Sequence, residues 1–196
     1  VSNLKNYDFA DVFDGGLGEL PGTQHLQLKT DTIPVVMVNR RTLAVRPRLK
    51  SELEQLVDLG VLAEVNEPTP WVSQIVITEK KDGSLRLCLD THELNKNLLR
   101  EHYTLPILED VLHELRDATV SSKVDLSSGY WHVKLDQESS MLTAFQTCFG
   151  WYHFLRLPFG VNGSSEYFQK KLLEALHGLP GVICIADDVI IHGSSS

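Results

Sequence analysis

Cysteine is scarce and poorly spaced for any framework. Cys88, Cys148 and Cys184 make an odd count of three with no CxxC pair, so neither a disulfide scaffold nor a zinc knuckle is expected. Each thiol sits in an apolar stretch and is expected to be buried and free, as in a reducing compartment. No apolar run approaches the roughly 18 residues of a membrane-spanning helix. A leader is missing too: the chain begins at Val1, without Met or a basic-then-apolar segment. That points away from secretion and toward a piece of something longer. Positive charge is in deficit, with 18 Lys and Arg against 26 Asp and Glu and a net charge of −8. A simple nucleic-acid-binding module is usually basic, so this balance argues against one. A metal-dependent polymerase or nuclease remains open, because its active site needs clustered carboxylates. The remaining composition is that of a folded protein. With 196 residues, 42% of them hydrophobic, disorder is excluded and one medium domain, or a domain with a subdomain, can bury a core.

Residues 1–47 read as irregular, punctuated by Gly15, Gly16, Gly18, Pro21 and Gly22, with a short strand expected at 35–38. Arg40, Arg41, Arg46, Arg48 and Lys50 then follow with no acid between them. They read first as a solvated loop, with contact to nucleic-acid phosphates as the functional alternative. Leu49, Leu53, Leu56 and Val57 form a helical stripe that Gly60 stops. Residues 71–90 read as a hairpin turning at Lys80-Lys81-Asp82-Gly83. A helix is expected at 106–115, with Pro106 in its first turn and Ile107, Leu108, Val111, Leu112 and Leu115 on its buried face. Short strands follow at 122–126 and 132–136, then an aromatic hairpin at 143–157 turning near Gly150. A helix at 164–177 is expected to be capped by Ser164 or Ser165 and stopped by Gly178 and Pro180.

The carboxylates carry the chemistry. Residues 182–191 are apolar except for Asp187 and Asp188. Carboxylates beside apolar surroundings are costly unless they are solvated, paired or bound to metal. A solvated two-residue turn and a metal site therefore both remain open at this point. A second element bears on the choice. Asp125 ends another short strand and is followed by Leu126 and then Ser127-Ser128-Gly129-Tyr130. Small residues there can present bare backbone N–H groups to phosphate oxygens. Three acids from two strands suit hard cations in phosphoryl transfer.

These pieces resemble the reverse transcriptase of gypsy-class LTR retrotransposons. The resemblance rests on FDGGLGELPG (13–22), LKSELEQLVDLGVLAEV (49–65), WVSQIVITEKKDGSLRLCLD (71–90), HELNK (92–96), REHYTLP (100–106), VDLSSGYWHVKLD (124–136), TAFQTCFGWYHFLRLPFG (143–160) and IADDVIIHG (185–193). It implies that Asp125, Asp187 and Asp188 are the catalytic carboxylates. Asp125 and Asp187 would hold two Mg2+, or Mn2+, most directly, with the Leu126 carbonyl as a further ligand. It further implies that Lys80 or Lys81, and Arg86, touch the nucleotide triphosphate. Tyr130 would be the steric gate against a 2′-OH, and Phe159 would line the nucleotide pocket. As residues alone, the lysines read equally as turn solvation, and the two rings as core packing.

Some positions depart from the family pattern. Ile185 stands where the commonest metal box has Tyr, and Asp90-Thr91-His92 where many members have Asp-Tyr-Arg. Ser164-Ser165 replaces Ala-Pro, and Leu142 replaces a frequent Lys. None of these removes a catalytic acid.

The implied fold is α+β, a right-hand polymerase with a ferredoxin-like palm and a fingers subdomain, truncated before the thumb. The division is a linker at 1–48, fingers at 49–101 and 137–162, and an incomplete palm at 102–136 and 163–196. The implied function is RNA-directed DNA synthesis from dNTPs on an RNA or DNA template–primer. Further implied partners are the rest of a polyprotein: protease, thumb, RNase H and integrase. The implied location is a cytoplasmic retroelement particle without membrane contact. The stretch alone is expected to be inactive without a basic thumb. An inactive relic, or a domesticated copy acting as a binding module, is the alternative. A palm-fold nucleotidyl cyclase would share the acids but leaves the hairpin and Phe159-Gly160 unexplained.

Overall fold

The computed structural model describes residues 16–37, 46–80, 83–100, 113, 115–116, 118–185 and 188–194. The helix expected at 106–115 falls outside them, but for His113 and Leu115.

One apolar core grows from α1 (Arg46–Asp58), whose Leu49, Leu53 and Leu56 are buried at helical spacing. Gly60, at φ +66°, takes the left-handed conformation that ends such a helix at little cost. The chain enters β2 (Leu62–Glu64), which pairs antiparallel with β8 (Gly150–Phe154), and β8 pairs with β7 (Phe145–Thr147). A separate hairpin joins β3 (Gln74–Glu79) to β4 (Leu85–Asp90). On β4, Leu85, Leu87 and Leu89 alternate inward and meet Leu49, Leu53, Phe145 and Phe154 in one apolar cluster. The hairpin closes with Lys80 N–H donating to Ser84 O at 2.8 Å and Gly83 N–H to Lys80 O at 3.0 Å, Gly83 having φ +84°. The connection thus has three residues, with the left-handed glycine that such loops require.

The second cluster centres on a three-stranded sheet. β10 (Asp188–Gly193) lies between β5 (Val120–Asp125) and β9 (Val182–Ile185), all antiparallel. Helix α4 (Ser164–Leu176) covers one face, burying Tyr167, Phe168 and Leu172 with Cys184 and Val189. Gln169 is wholly buried and donates its amide to Cys184 O at 2.9 Å, which satisfies a group otherwise costly in a core. Two six-residue helices, α2 (His92–Asn97) and α3 (Gln137–Leu142), were not expected, and their Leu94 and Leu142 join this cluster. Asp136 caps α3 by accepting from Ser139 N–H at 2.8 Å.

Several sequence expectations need correction. Of the strand expected at 35–38, Val38 lies outside the described residues, and among 35–37 Val36 alone makes a bridge, to Val72. The segment 16–37 is otherwise irregular, apart from β1 (Thr23–Gln24) running parallel to β6 (Lys134–Leu135) and a single bridge from Leu28 to Leu98. His132 is not in a strand: Gly129–His132 is a 3-10 turn, and the strand starts at Lys134. Neither Ser164 nor Ser165 caps α4. Gly163, at φ +83°, takes that place without a side-chain bond. The Ser164 hydroxyl instead donates to Pro158 O at 3.3 Å. Of the thiols, only Cys184 is buried, and burial pushes it up from its ordinary value. Cys148 is exposed and Cys88 half-buried, because the first lies in the β7–β8 turn and the second faces outward on β4.

His153 is buried on β8, and burial lowers it from 6.5. Its neighbour fixes the tautomer. The Ser140 hydroxyl spends its proton on Phe154 O at 2.6 Å, so His153 Nδ1–H donates to Ser140 Oγ at 2.7 Å. Below about pH 6.5 the unfolded chain takes up a proton here that the folded chain refuses. The stability tied to His153 is therefore present above that pH and lost as pH falls. His153→Gln is expected to flatten the fall in urea midpoint between about pH 6.5 and 5. Identical slopes for variant and parent would contradict this.

Candidate active site

The register of the palm sheet puts two acids side by side. Asp125, the last residue of β5, pairs with Asp188, the first of β10, and Asp188 also pairs with Ile185 across the β9–β10 hairpin. Ala186 and Asp187, which connect those strands in sequence, lie outside the described residues. The Asp125–Asp187 spacing is therefore not described, and the acid placed beside Asp125 is Asp188. Lys123 Nζ lies 2.7 Å from Asp188 Oδ2, so this sheet end already accommodates one cation. Like charges directly opposite on a sheet are unfavourable, and hard oxygen donors so placed suit a divalent ion. Among the described residues no cluster of three or more His, Cys, Asp or Glu forms.

After Asp125 the chain turns sharply. Ser128 has φ 56° and ψ 40°, the only non-glycine at positive φ among the described residues. A serine there carries strain that the surrounding structure must hold. Ser128 O accepts from Trp131 N–H at 2.9 Å, and Ser127 O from His132 Nε2–H at 3.1 Å. The turn thereby swings Gly129 and Tyr130 back over the sheet end.

A cavity of about 330 Å3 opens there, between the hairpin and the palm. Lys80 and Arg86 line it from the fingers side. Asp125, Leu126, Ser128, Gly129, Tyr130 and Phe159 line it from the palm side. Its floor is aromatic: Phe159 lies 4.8 Å from Tyr130 and 6.4 Å from Trp131, ring centre to ring centre. The Arg86 guanidinium stands 6.0 Å over the Phe159 ring, within cation–π range. Tyr130 bonds Ser165 Oγ at 2.7 Å and meets Phe168 edge-on at 5.5 Å. It is thus both cavity wall and core residue. Two cations beside one acid, Glu52, on one wall and the Asp125 carboxylate on the other suit a polyanion that arrives with metal.

Not every expected residue converges. Ser127 is exposed but does not line the cavity. Lys81, Arg40 and Arg41 lie outside the described residues. The three described cations of the basic stretch all have partners within the fingers. Arg46 stands 5.3 Å over the Phe149 ring, and Lys50 is 3.7 Å from Glu54. Arg48 lies 3.2 Å from Glu79 and also donates to Gly83 O, latching α1 to the hairpin tip. Four lining residues were missed, Glu52, Leu85, Leu87 and Trp131. Glu52 could have been found as the acid beside Leu49 and Leu53 on α1. Trp131 could have been found as the aromatic following Tyr130, and its buried Nε1–H has no partner among the described residues.

Comparison with known proteins agrees with this geometry. The family profile described as reverse transcriptase (RNA-dependent DNA polymerase) matches residues 78–196. An uncharacterised Caenorhabditis elegans protein is 34% identical over 98% of this chain, which covers 15% of that protein. The retrovirus-related Pol polyprotein from transposon 412 of Drosophila melanogaster is 32% identical over 88% of this chain, which covers 14% of it. The chain therefore spans only a small part of the length of these relatives. In three dimensions it is similar to the foamy viral protease–reverse transcriptase in complex with an RNA/DNA hybrid. The TM-score is 0.81 at 22% identity, covering 99% of this chain and 26% of that one. That likeness shows the right-hand polymerase fold, mixed α and β. Fold, profile and relatives converge: the chain belongs to the reverse transcriptase (RNA-dependent DNA polymerase) family.

Proposed function

We propose that this chain is the fingers and part of the palm of an RNA-directed DNA polymerase carried in a gypsy-class retroelement polyprotein. The observation that carries it is the cavity flanked by Lys80 and Arg86 on one side and Asp125 on the other, with Asp188 beside Asp125. In this reading residues 49–101 and 137–162 are fingers, 102–136 and 163–196 palm, and 1–48 a linker. The partners are a template–primer, dNTPs and the rest of the polyprotein, in a cytoplasmic particle.

Asp125 and Asp188, with Asp187, would hold divalent metal, taken here as two Mg2+. When bound, such ions stabilise the attacking and leaving oxygens of an in-line displacement. The chain's own residues do the rest. Arg86 and Lys80 neutralise a triphosphate and orient it against the acids, and positioning of this kind supplies much of the catalysis in phosphoryl transfer. The Tyr130 ring, held by Ser165 and Phe168, fixes the sugar's place on the floor. The Phe159 ring stacks beneath Arg86 and keeps water out.

The test is primer extension on an RNA template by the longer protein, together with Arg86→Ala. The variant is expected to raise the dNTP KM roughly tenfold or more, the loss of one charge-assisted contact. Template–primer affinity should stay within about twofold. Template affinity falling while the dNTP KM stays fixed would assign Arg86 to the template instead.

A further inference from the structure

The cavity floor is held by a residue that does not line it. Phe159 sits in a loop whose next residue, Gly160, has φ +99°. A Cβ built on Gly160 would stand 2.9 Å from Leu89 O and 3.3 Å from Thr91 Oγ1. The loop is thus pressed against the end of β4, and only glycine fits. Beside it the Asn95 side chain, on α2, makes three hydrogen bonds. Its Nδ2 donates to Gly160 O at 2.8 Å and to Thr91 Oγ1 at 2.9 Å, and its Oδ1 accepts from Asn162 N–H at 2.8 Å. The Thr91 hydroxyl donates to the same Gly160 carbonyl at 2.5 Å. A backbone carbonyl can only accept and a backbone N–H can only donate, so the amide's orientation is fixed by its partners. One side chain thereby grips the backbone on both sides of Val161.

We infer that Asn95, supported by Thr91, is a positioning residue for nucleotide binding. It sets where Phe159 lies, and through Phe159 the height of the floor under Tyr130 and Arg86. The inference rests on the polymerase reading above and adds a residue to it. Phe159 is half-buried, with ring neighbours that themselves line the cavity; the chain before it is tied by the Ser164 hydroxyl to Pro158 O, and the chain after it by Asn95. Releasing Gly160 O and Asn162 N–H frees the loop to shift, and misplacement near 1 Å in an active site can cost as much as about a hundredfold.

The test uses the longer parent protein with Asn95→Asp and Asn95→Ala. Asn95→Asp is isosteric. It keeps the acceptor for Asn162 N–H but sets oxygen against oxygen at Gly160 and removes the donor to Thr91. Both variants are expected to raise the dNTP KM about tenfold, to change kcat less than about threefold, and to leave template–primer Kd unmoved. Hydrogen exchange at the Asn162 amide should quicken in Asn95→Ala and stay slow in Asn95→Asp. If Asn95 only ties the loop down for stability, the isosteric variant keeps the parent's dNTP KM, and the inference falls. It also falls if template affinity declines in step with KM. Binding of Mg–dNTP, read by tryptophan fluorescence in the same proteins, needs no turnover. A rise in Kd of about tenfold supports the inference, and no rise overturns it. A parent that binds dNTP without extending primers counts against the polymerase reading alone. A parent that binds none overturns both.

Discussion

Replacing Asp125 with Asn in the longer protein is expected to lower nucleotide incorporation by about a thousandfold or more while leaving the fold intact. The loss follows from what the carboxylate would hold. Stabilisation of transition-state charge by a metal is worth several kcal/mol, and each 1.36 kcal/mol is about tenfold in rate. The intact fold follows from where Asp125 sits. It is exposed at a strand end, directly opposite Asp188, and neutralising one of two facing acids relieves repulsion. The palm should therefore melt at the parent's temperature or slightly above it. Activity and stability move in opposite directions, which a general folding defect cannot produce. Asp188→Asn provides the contrast, because it also breaks the 2.7 Å pair with Lys123 and should show no such gain. Incorporation within tenfold of the parent in Asp125→Asn would remove this residue from the chemistry.

The sequence made the large elements legible and hid the small ones, for physical reasons. The helices Arg46–Asp58 and Ser164–Leu176 each run 13 residues, long enough for an apolar stripe to repeat. The hairpin at 74–90 carried both alternation and an Asp-Gly turn. By contrast, His92–Asn97 and Gln137–Leu142 run only six residues, less than two turns, so no period can establish itself. Their stability comes from burying Leu94 and Leu142, a tertiary effect. The turn at Ser128 was foreseen as small-residue backbone, but its left-handed conformation and the 3-10 turn after it were not. The acids were legible as a motif, and which of them face each other needed the strand register. Two contacts had no local signal at all. Arg48 reaches the hairpin tip 35 residues away, and Thr91 reaches Gly160 across 69. Charge pattern made Arg48 a candidate for phosphate contact but gave no sign of its bonds to Glu79 and Gly83 O.

Phe168→Ala should be the most damaging single change to the palm, destabilising it by about 3–5 kcal/mol. Phe168 is fully buried, at 0% exposure, on the face of α4 that meets the sheet. Its neighbours cannot close the space it would leave. Cys184 and Val189 belong to paired strands, Leu172 is one turn along the same helix, and Gln169 is tied to Cys184 O. A void whose walls are held by hydrogen-bonded backbone keeps nearly its full cavity cost. Against a total stability of roughly 5–15 kcal/mol for a domain, that loss is large. It also reaches the cavity, because Phe168 supplies the edge against which the Tyr130 ring rests at 5.5 Å. Hydrogen exchange at Val189 and its strand neighbours reads the palm locally, without unfolding the rest of the protein. Those amides should exchange faster by about two to four powers of ten, the equivalent of the lost free energy. Amides of the β7–β8 pair in the fingers cluster should change far less, since that core contains none of these residues. Equal acceleration in both cores would mean that they unfold as one unit, and a change under tenfold at Val189 would mean that the palm repacks around the missing ring.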